Sequence, residues 1–244
     1  MIIQKIMVVK SLRVFGSSLM SIILPLYMFT KGYNVTFVGF IVSLMILSNI
    51  PFNILLTLAI KRLGRRLILV SLSALMVISA LLFLWNLNTI MIIIAALIGL
   101  LSAKGTESGP FQSIEQSIIS ERVSNEKRTH IFTIYNFVGY AAMSLGSLFT
   151  GLPDYLPHLG LTLNFAFYVY AIIGLTQLII YLTFNDIDNI FKNSNKMILH
   201  PQSRKTVLKL SSLFSVDAFG GGFIVKTLLA TWIFLRFNVQ LISI

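Results

Sequence analysis

Five ionisable residues in apolar stretches are the candidates for chemistry in this 244-residue sequence. An ionised side chain costs several kcal/mol in hydrocarbon, so each is expected to pair, to line a polar cavity or to reach water. Such groups bind polar ligands or carry ions and protons. The candidate pathway residues are Arg13, Lys104, Glu107, Asp217 and Lys226.

Lys104 and Glu107 have opposite charges and are separated by three positions. This spacing places both side chains on one face of a helix, where they can neutralise each other. At 1.5 Å per residue they lie roughly 20–27 Å below the outer end of their predicted span. Two interpretations remain open, a purely structural ion pair and the lining of a polar pathway. Glu115 is roughly 37 Å down by the same rise, and we expect it to reach cytoplasmic water.

Asp217 and Lys226 flank the triplet Gly220-Gly221-Gly222. Nine residues at 100° each put the two charges on opposite faces of an uninterrupted helix, so pairing requires the glycines to bend or unwind it. The glycines alternatively permit close helix packing. Asp217 is the best single candidate for ion or substrate coupling. Arg13 lies near the end of its span, where it can extend to water.

Seven apolar stretches are long enough to form the helices that would position these charges. A helix needs about 20 apolar residues to cross the hydrocarbon layer. The stretches cover residues 12–30, 38–60, 67–84, 90–108, 131–152, 163–184 and 208–234. The connection at 185–207 is long, polar and basic, and it separates six helices from the seventh. The predicted fold class is all-α and polytopic.

The composition requires a membrane. Hydrophobic residues make up 56% of the chain and charged residues 11%, too few charges to cover a soluble domain. Fourteen Lys and Arg residues in the loops and at span ends fall on one predicted side and two on the other. This bias places the N-terminus in the cytoplasm. Net charge is +11, but its location in these loops argues against a nucleic-acid partner. No cysteine is present.

The stretch TLAIKRLGRR, residues 57–66, lies in the predicted cytoplasmic loop between the second and third spans. It resembles the signature loop of the major facilitator superfamily, which reads Gly, three residues, Asp, Arg or Lys, any residue, Gly and two basic residues. Arg62, Gly64, Arg65 and Arg66 match this pattern, whereas Lys61 stands at the aspartate position. The resemblance implies a cytoplasmic gating role for the loop.

Two further segments resemble the same family. Residues 107–153 are similar to helices four and five of its prokaryotic members, and residues 212–223 are similar to helix seven. The resemblance implies a twelve-helix fold of two halves. We therefore expect a six-helix bundle at 1–184, a central cytoplasmic loop at 185–207 and, at 208–244, the seventh helix and the start of a C-terminal half whose remaining helices are missing.

The resemblance predicts a secondary active transporter of a small molecule in the plasma membrane, with ion coupling, proton-driven efflux and alternating access between the halves. Two alternatives remain open: a non-transporting membrane subunit and a seven-helix receptor or retinal protein, in which Lys226 would carry the chromophore. The histidines have no metal-ligand spacing, and no catalytic triad or phosphate loop is evident. We expect no enzymatic activity, cofactor or metal.

Overall fold

The computed structural model describes residues 2–85, 88–102, 105, 109–156, 158, 160–184, 187, 201–222 and 226–237. Every regular element in these residues is a helix, which confirms the predicted fold class. The helices are α1 (Ile2–Thr30), α2 (Val35–Leu63), α3 (Arg65–Trp85), α4 (Thr89–Ile98), α5 (Pro110–Arg122), α6 (Asn125–Leu148), a 3-10 turn (Phe149–Gly151), α7 (Leu152–Tyr155), α8 (Phe165–Leu182), α9 (Pro201–Gly222) and α10 (Lys226–Phe237).

Within the described ranges, five helical segments are long and apolar enough to cross a membrane. They correspond to the first, second, third, fifth and sixth predicted spans. Their bounds are Ile2–Thr30, Val35–Ile60, Arg65–Trp85, Asn125–Tyr155 and Phe165–Leu182. The described parts of the predicted seventh span are also helical, in α9 and α10, and α9 begins inside the predicted central loop.

The prediction of one continuous helix over residues 90–108 is wrong. Helix α4 ends at Ile98, and Leu100 has a φ of 52°, which an α-helix cannot accommodate. The backbone at Gly99 approaches α3 so closely that a Cβ there would lie 2.3 Å from Oγ of Ser79. The hydroxyl of Tyr170 donates to the carbonyl oxygen of Gly99, which satisfies a group at the helix end.

Helix α1 is the central helix of the bundle and packs on α2, α6, α8 and α10. Small residues permit its close contact with α6. A Cβ on Gly146 would lie 2.3 Å from the carbonyl oxygen of Phe15. The Ser18 hydroxyl donates to the carbonyl oxygen of Met143 at 2.8 Å. Close backbone approach of this kind is how membrane helices pack when lipid removes the hydrophobic driving force.

Two clusters of buried apolar side chains fill the bundle. The first surrounds the part of α1 that contains Leu19 and Ile23, and the second surrounds Ile6 and Val9. Arg13 lies on α1 between these clusters. Apolar side chains on the outer faces, such as Leu58 and Phe137, are exposed, as expected for helices that contact lipid.

Candidate functional site

Arg13 and Glu115 form a buried ion pair between α1 and α5. Nη2 of Arg13 lies 2.8 Å from Oε2 of Glu115, and the side chains are 3% and 0% exposed. The expectation that Arg13 extends to water is therefore wrong, as is the expectation that Glu115 does so. Both groups are enclosed because α5 packs its inward face, including Phe111 and Ile118, into the second apolar cluster.

Two tyrosines complete the coordination of the Glu115 carboxylate. The hydroxyl of Tyr135 on α6 donates to Oε2 at 2.7 Å, and that of Tyr181 on α8 donates to Oε1 at 2.6 Å. Nη1 of Arg13 donates to the Tyr181 hydroxyl at 2.8 Å and to Oε1 of Gln177 at 3.4 Å. We call Arg13, Glu115, Tyr135, Gln177 and Tyr181 the buried charge network. Its hydrogen bonds offset the cost of removing two charges from water.

Aromatic rings and a sulfur atom surround the network. Cζ of Arg13 lies 4.4 Å from the ring centroid of Phe111, and Nζ of Lys10 lies 4.5 Å from that of Tyr135. Both distances are typical of cation–π contacts, which stabilise a cation more strongly away from water. Nε2 of Gln177 donates to Sδ of Met76 on α3 at 2.9 Å. The network therefore links α1, α5, α6 and α8, and Gln177 connects it to α3 through Met76.

A small cavity lies beside Arg13. Its described walls come from α1, α2, α3, α5, α8 and the segment after α4. Its volume of about 20 Å³ is room for about one water molecule. The walls include Arg13, Ser17, Asn49, Met76, Ser102, Phe111 and Tyr170. Hydroxyl, amide and guanidinium groups thus lie beside apolar side chains in the walls of this cavity.

The basic loop between α2 and α3 is a tight helix-to-helix turn. Gly64 ends α2 with a φ of 82°, a left-handed conformation that favours glycine, and its N–H donates to the carbonyl oxygen of Ile60 at 3.0 Å. Arg62 is exposed. Arg66 donates to the carbonyl oxygen of Leu182 at the end of α8. The side chain of Lys61 lies outside the described residues.

Arg65 is buried and binds Glu121 at the end of α5. Its Nη1 and Nη2 lie 2.6 and 2.5 Å from the two carboxylate oxygens, and Nη2 also donates to Oγ of Ser117 at 3.0 Å. This two-point geometry is the strongest that an arginine makes with a carboxylate. The hydrogen bonds from Arg65 lower the pKa of Glu121 below its ordinary value.

Of the other predicted pathway residues, only Asp217 has a described side chain, and it lies apart from the buried charge network. Asp217 lies on α9 and is exposed. Lys226 begins α10, but its side chain lies outside the described residues, as do Lys104 and Glu107 entirely. Of the five predicted residues, only Arg13 is therefore placed in the network.

Sequence reasoning does not select Tyr135, Gln177, Tyr181 or Glu121, and it expects Glu115 to reach water. One signal could have identified Glu115. Phe111, Ile114 and Ile118 recur at helical spacing, and Glu115 lies on the face that they form. The tyrosines and Gln177 carry no such signal, because their partners lie 20 to 168 positions away in sequence.

The sequence is similar to known membrane proteins along most of its length. The sequence profile of the Major Facilitator Superfamily matches residues 6–243. The chain is also similar to "Uncharacterized membrane protein YJR124C" of Saccharomyces cerevisiae, with 24% identity over 253 residues. That alignment covers 88% of this chain and 56% of the yeast protein. The chain therefore spans about half the length of this curated relative.

Proposed function

Because this chain belongs to the Major Facilitator Superfamily, a family of membrane transporters, we propose that it acts in ion-coupled secondary transport of a small molecule. Residues 1–184 supply the N-terminal six-helix half, 185–207 the central loop and 208–244 the start of the C-terminal half. The substrate path runs between the halves, which rock to expose it alternately to each side. We place the N-terminus and the basic loop in the cytoplasm of a cell whose plasma membrane holds the protein.

The observation that carries this proposal is the Arg13–Glu115 pair beside a cavity. Apolar side chains would stabilise the bundle equally well, because the desolvation of a buried ion pair often costs more free energy than the attraction between its charges provides. Ionisable groups inside membrane proteins instead mark substrate and ion pathways. The pair supports a mechanism in which ligand or proton binding changes the contacts of Arg13 and Glu115, and this change alters the packing of α1 against α5, α6 and α8.

Proton coupling would act on this pair through Glu115. A carboxylate accepts hydrogen bonds from Arg13, Tyr135 and Tyr181. A protonated carboxyl has no charge and must donate one hydrogen bond, so it would hold Arg13 less strongly. The Arg65–Glu121 contact joins α3 to the end of α5 and supports a gating role for the basic loop. Opening of this end would require the contact to lengthen or break.

Flux measurements test the proposal. The full-length gene product in proteoliposomes is exposed to a panel of small metabolites under an imposed pH gradient, and internal pH and radiolabelled uptake are recorded. We expect uptake of at least one compound, accelerated by the gradient. The Glu115→Gln variant should retain binding and lose the gradient dependence. Protein-free liposomes are the control. The absence of any protein-dependent flux for the wild type would contradict the transporter proposal.

A further inference from the structure

We propose that Arg13, Ser17 and Asn49 form a binding subsite for the carboxylate group of an organic anion. This inference rests on the proposed transport function, because it names the chemical class of the substrate. The three residues line one cavity and come from two helices, α1 and α2. Each can donate a hydrogen bond to an anionic oxygen.

Arg13 supplies the charge of this subsite. It is the one charged residue among the described walls of the cavity. Its guanidinium already binds one carboxylate, that of Glu115, through Nη2. Phe111 covers the guanidinium at 4.4 Å and also lines the cavity. A planar guanidinium supported in this way favours carboxylates over cations, which it repels.

Ser17 is the observation that indicates a ligand. It lies one helical turn from Arg13 on the same face of α1, lines the cavity and is 3% exposed. Within the described residues no hydrogen bond is found for its hydroxyl, which is accessible from the cavity. Other buried serines of the bundle donate to carbonyl oxygens, as Ser18 and Ser73 do. A buried hydroxyl that faces a cavity is expected to bind water or a ligand there.

Asn49 provides the donor on the facing helix. Its Nδ2 donates one hydrogen to the carbonyl oxygen of Met45 at 2.9 Å. An amide nitrogen carries two hydrogens, so the second can be directed to a ligand. Donors from α1 and α2 would then hold the same anion, and binding would change the contact between these helices.

The small size of the cavity favours a carboxylate over larger anions. With room for about one water molecule, it accommodates a planar carboxylate after smaller rearrangements than a tetrahedral phosphate would need. Glu115 competes for the same guanidinium, so substrate binding would weaken the Arg13–Glu115 contact.

Binding to the purified full-length gene product tests this subsite without requiring transport. The probes are monocarboxylates from acetate to benzoate, each compared with its neutral amide at equal ionic strength. The readout is the concentration dependence of the melting temperature in detergent. We expect at least one carboxylate to raise the melting temperature while its amide does not.

Two variants assign this binding to the cavity. Ser17→Ala should weaken carboxylate binding about tenfold, the effect of one hydrogen bond to a charged group. Its fold should be retained, because the hydroxyl has no described protein partner. The double variant Arg13→Gln/Glu115→Gln replaces the ion pair with two neutral amides and should abolish carboxylate binding. Ser43→Ala, on the exposed side of α2, is the matched control and should bind as the wild type does.

The outcomes separate this inference from the proposed function. Equal effects of acids and amides, no effect of either, or binding that survives in the double variant would overturn the carboxylate subsite. Protein-dependent flux of neutral compounds alone would leave the transporter proposal intact and also overturn the subsite. Carboxylate binding with the expected variant effects, but without protein-dependent flux of any compound, would support the subsite and contradict the transporter proposal.

Discussion

The hydroxyl of Tyr181 donates to Oε1 of Glu115 at 2.6 Å, although the two residues are 66 positions apart. The same hydroxyl accepts a hydrogen bond from Arg13 at 2.8 Å. Tyr181 therefore bridges both members of the ion pair, and α8 takes part in a contact that otherwise joins α1 to α5. Any change in the charge of Glu115 or in the partners of Arg13 is transmitted to three helices.

Replacing Tyr181 with Phe should loosen this bridge. The variant keeps the ring and removes one donor and one acceptor, so we expect a loss of about 1–3 kcal/mol in stability. Thermal unfolding in detergent measures the change. Tyr168→Phe on the same helix is the control, because its ring is 57% exposed. Equal melting temperatures for both variants would show that the Tyr181 hydroxyl contributes little.

The loss of stability on removing the Glu115 carboxylate should depend strongly on which residue replaces it. Glu115→Ala leaves Arg13 as a buried charge without its acidic partner, for which we expect a cost of about 3–5 kcal/mol. Glu115→Gln retains an acceptor for Arg13 and should cost less. Unfolding of both variants is compared with that of Glu126→Ala, at an exposed position on α6. If Ala and Gln are equally tolerated, the ion pair is not important for stability.

The contact between α1 and α6 should not tolerate a side chain at Gly146. A Cβ there would meet the carbonyl oxygen of Phe15 at 2.3 Å, so Gly146→Val must push the helices apart. We expect a loss of about 1–3 kcal/mol, the usual cost of overpacking. Gly39→Ala on α2, where nothing lies within 4 Å, is the control. Wild-type stability of the Val variant would contradict this close contact.

The Arg65–Glu121 contact should make the stability of the protein depend on pH in the acid range. The pKa of Glu121 is lowered in the folded protein from its ordinary value of 4.5, chiefly by hydrogen bonds from Arg65. Its contribution to stability is therefore complete above pH 4.5 and is lost as the pH falls through the lower folded-state pKa. Melting temperatures of the wild type and Glu121→Gln should differ at neutral pH and converge in acid. A constant difference down to the acid limit would contradict this prediction.

Asp217→Asn tests the coupling role proposed for this residue. Its carboxylate is exposed on α9, in a segment that we place in the seventh helix. There it would need water or a partner to stay charged. We expect the variant to be expressed normally and to lose transport in proteoliposomes. Asp154→Asn, on the short helix α7, is the control. Wild-type flux from Asp217→Asn would remove Asp217 from the mechanism.

The limits of sequence reasoning are clearest at α4 and α5. Apolar composition predicts a helix over residues 90–108, yet α4 ends at Ile98. The helix ends there because the Gly99 backbone lies against Ser79 and Leu100 adopts a φ of 52°. Apolar composition does not predict either feature. A straight helix through residues 90–108 would carry Glu115 into water. Instead α5 is a separate helix, and its packing buries the carboxylate.

Hydrophobic length, loop charge and the spacing of Arg62, Gly64, Arg65 and Arg66 are local properties, so the sequence by itself determined the helical membrane fold and the family. Which residues pair with a buried charge is not a local property of the sequence. Arg13 could have reached water or an acid on any helix, and only the packing of α1 against α5, α6 and α8 decided that it binds Glu115 and Tyr181. A buried charge must be satisfied where the fold leaves it, and that position depends on contacts between residues far apart in the chain.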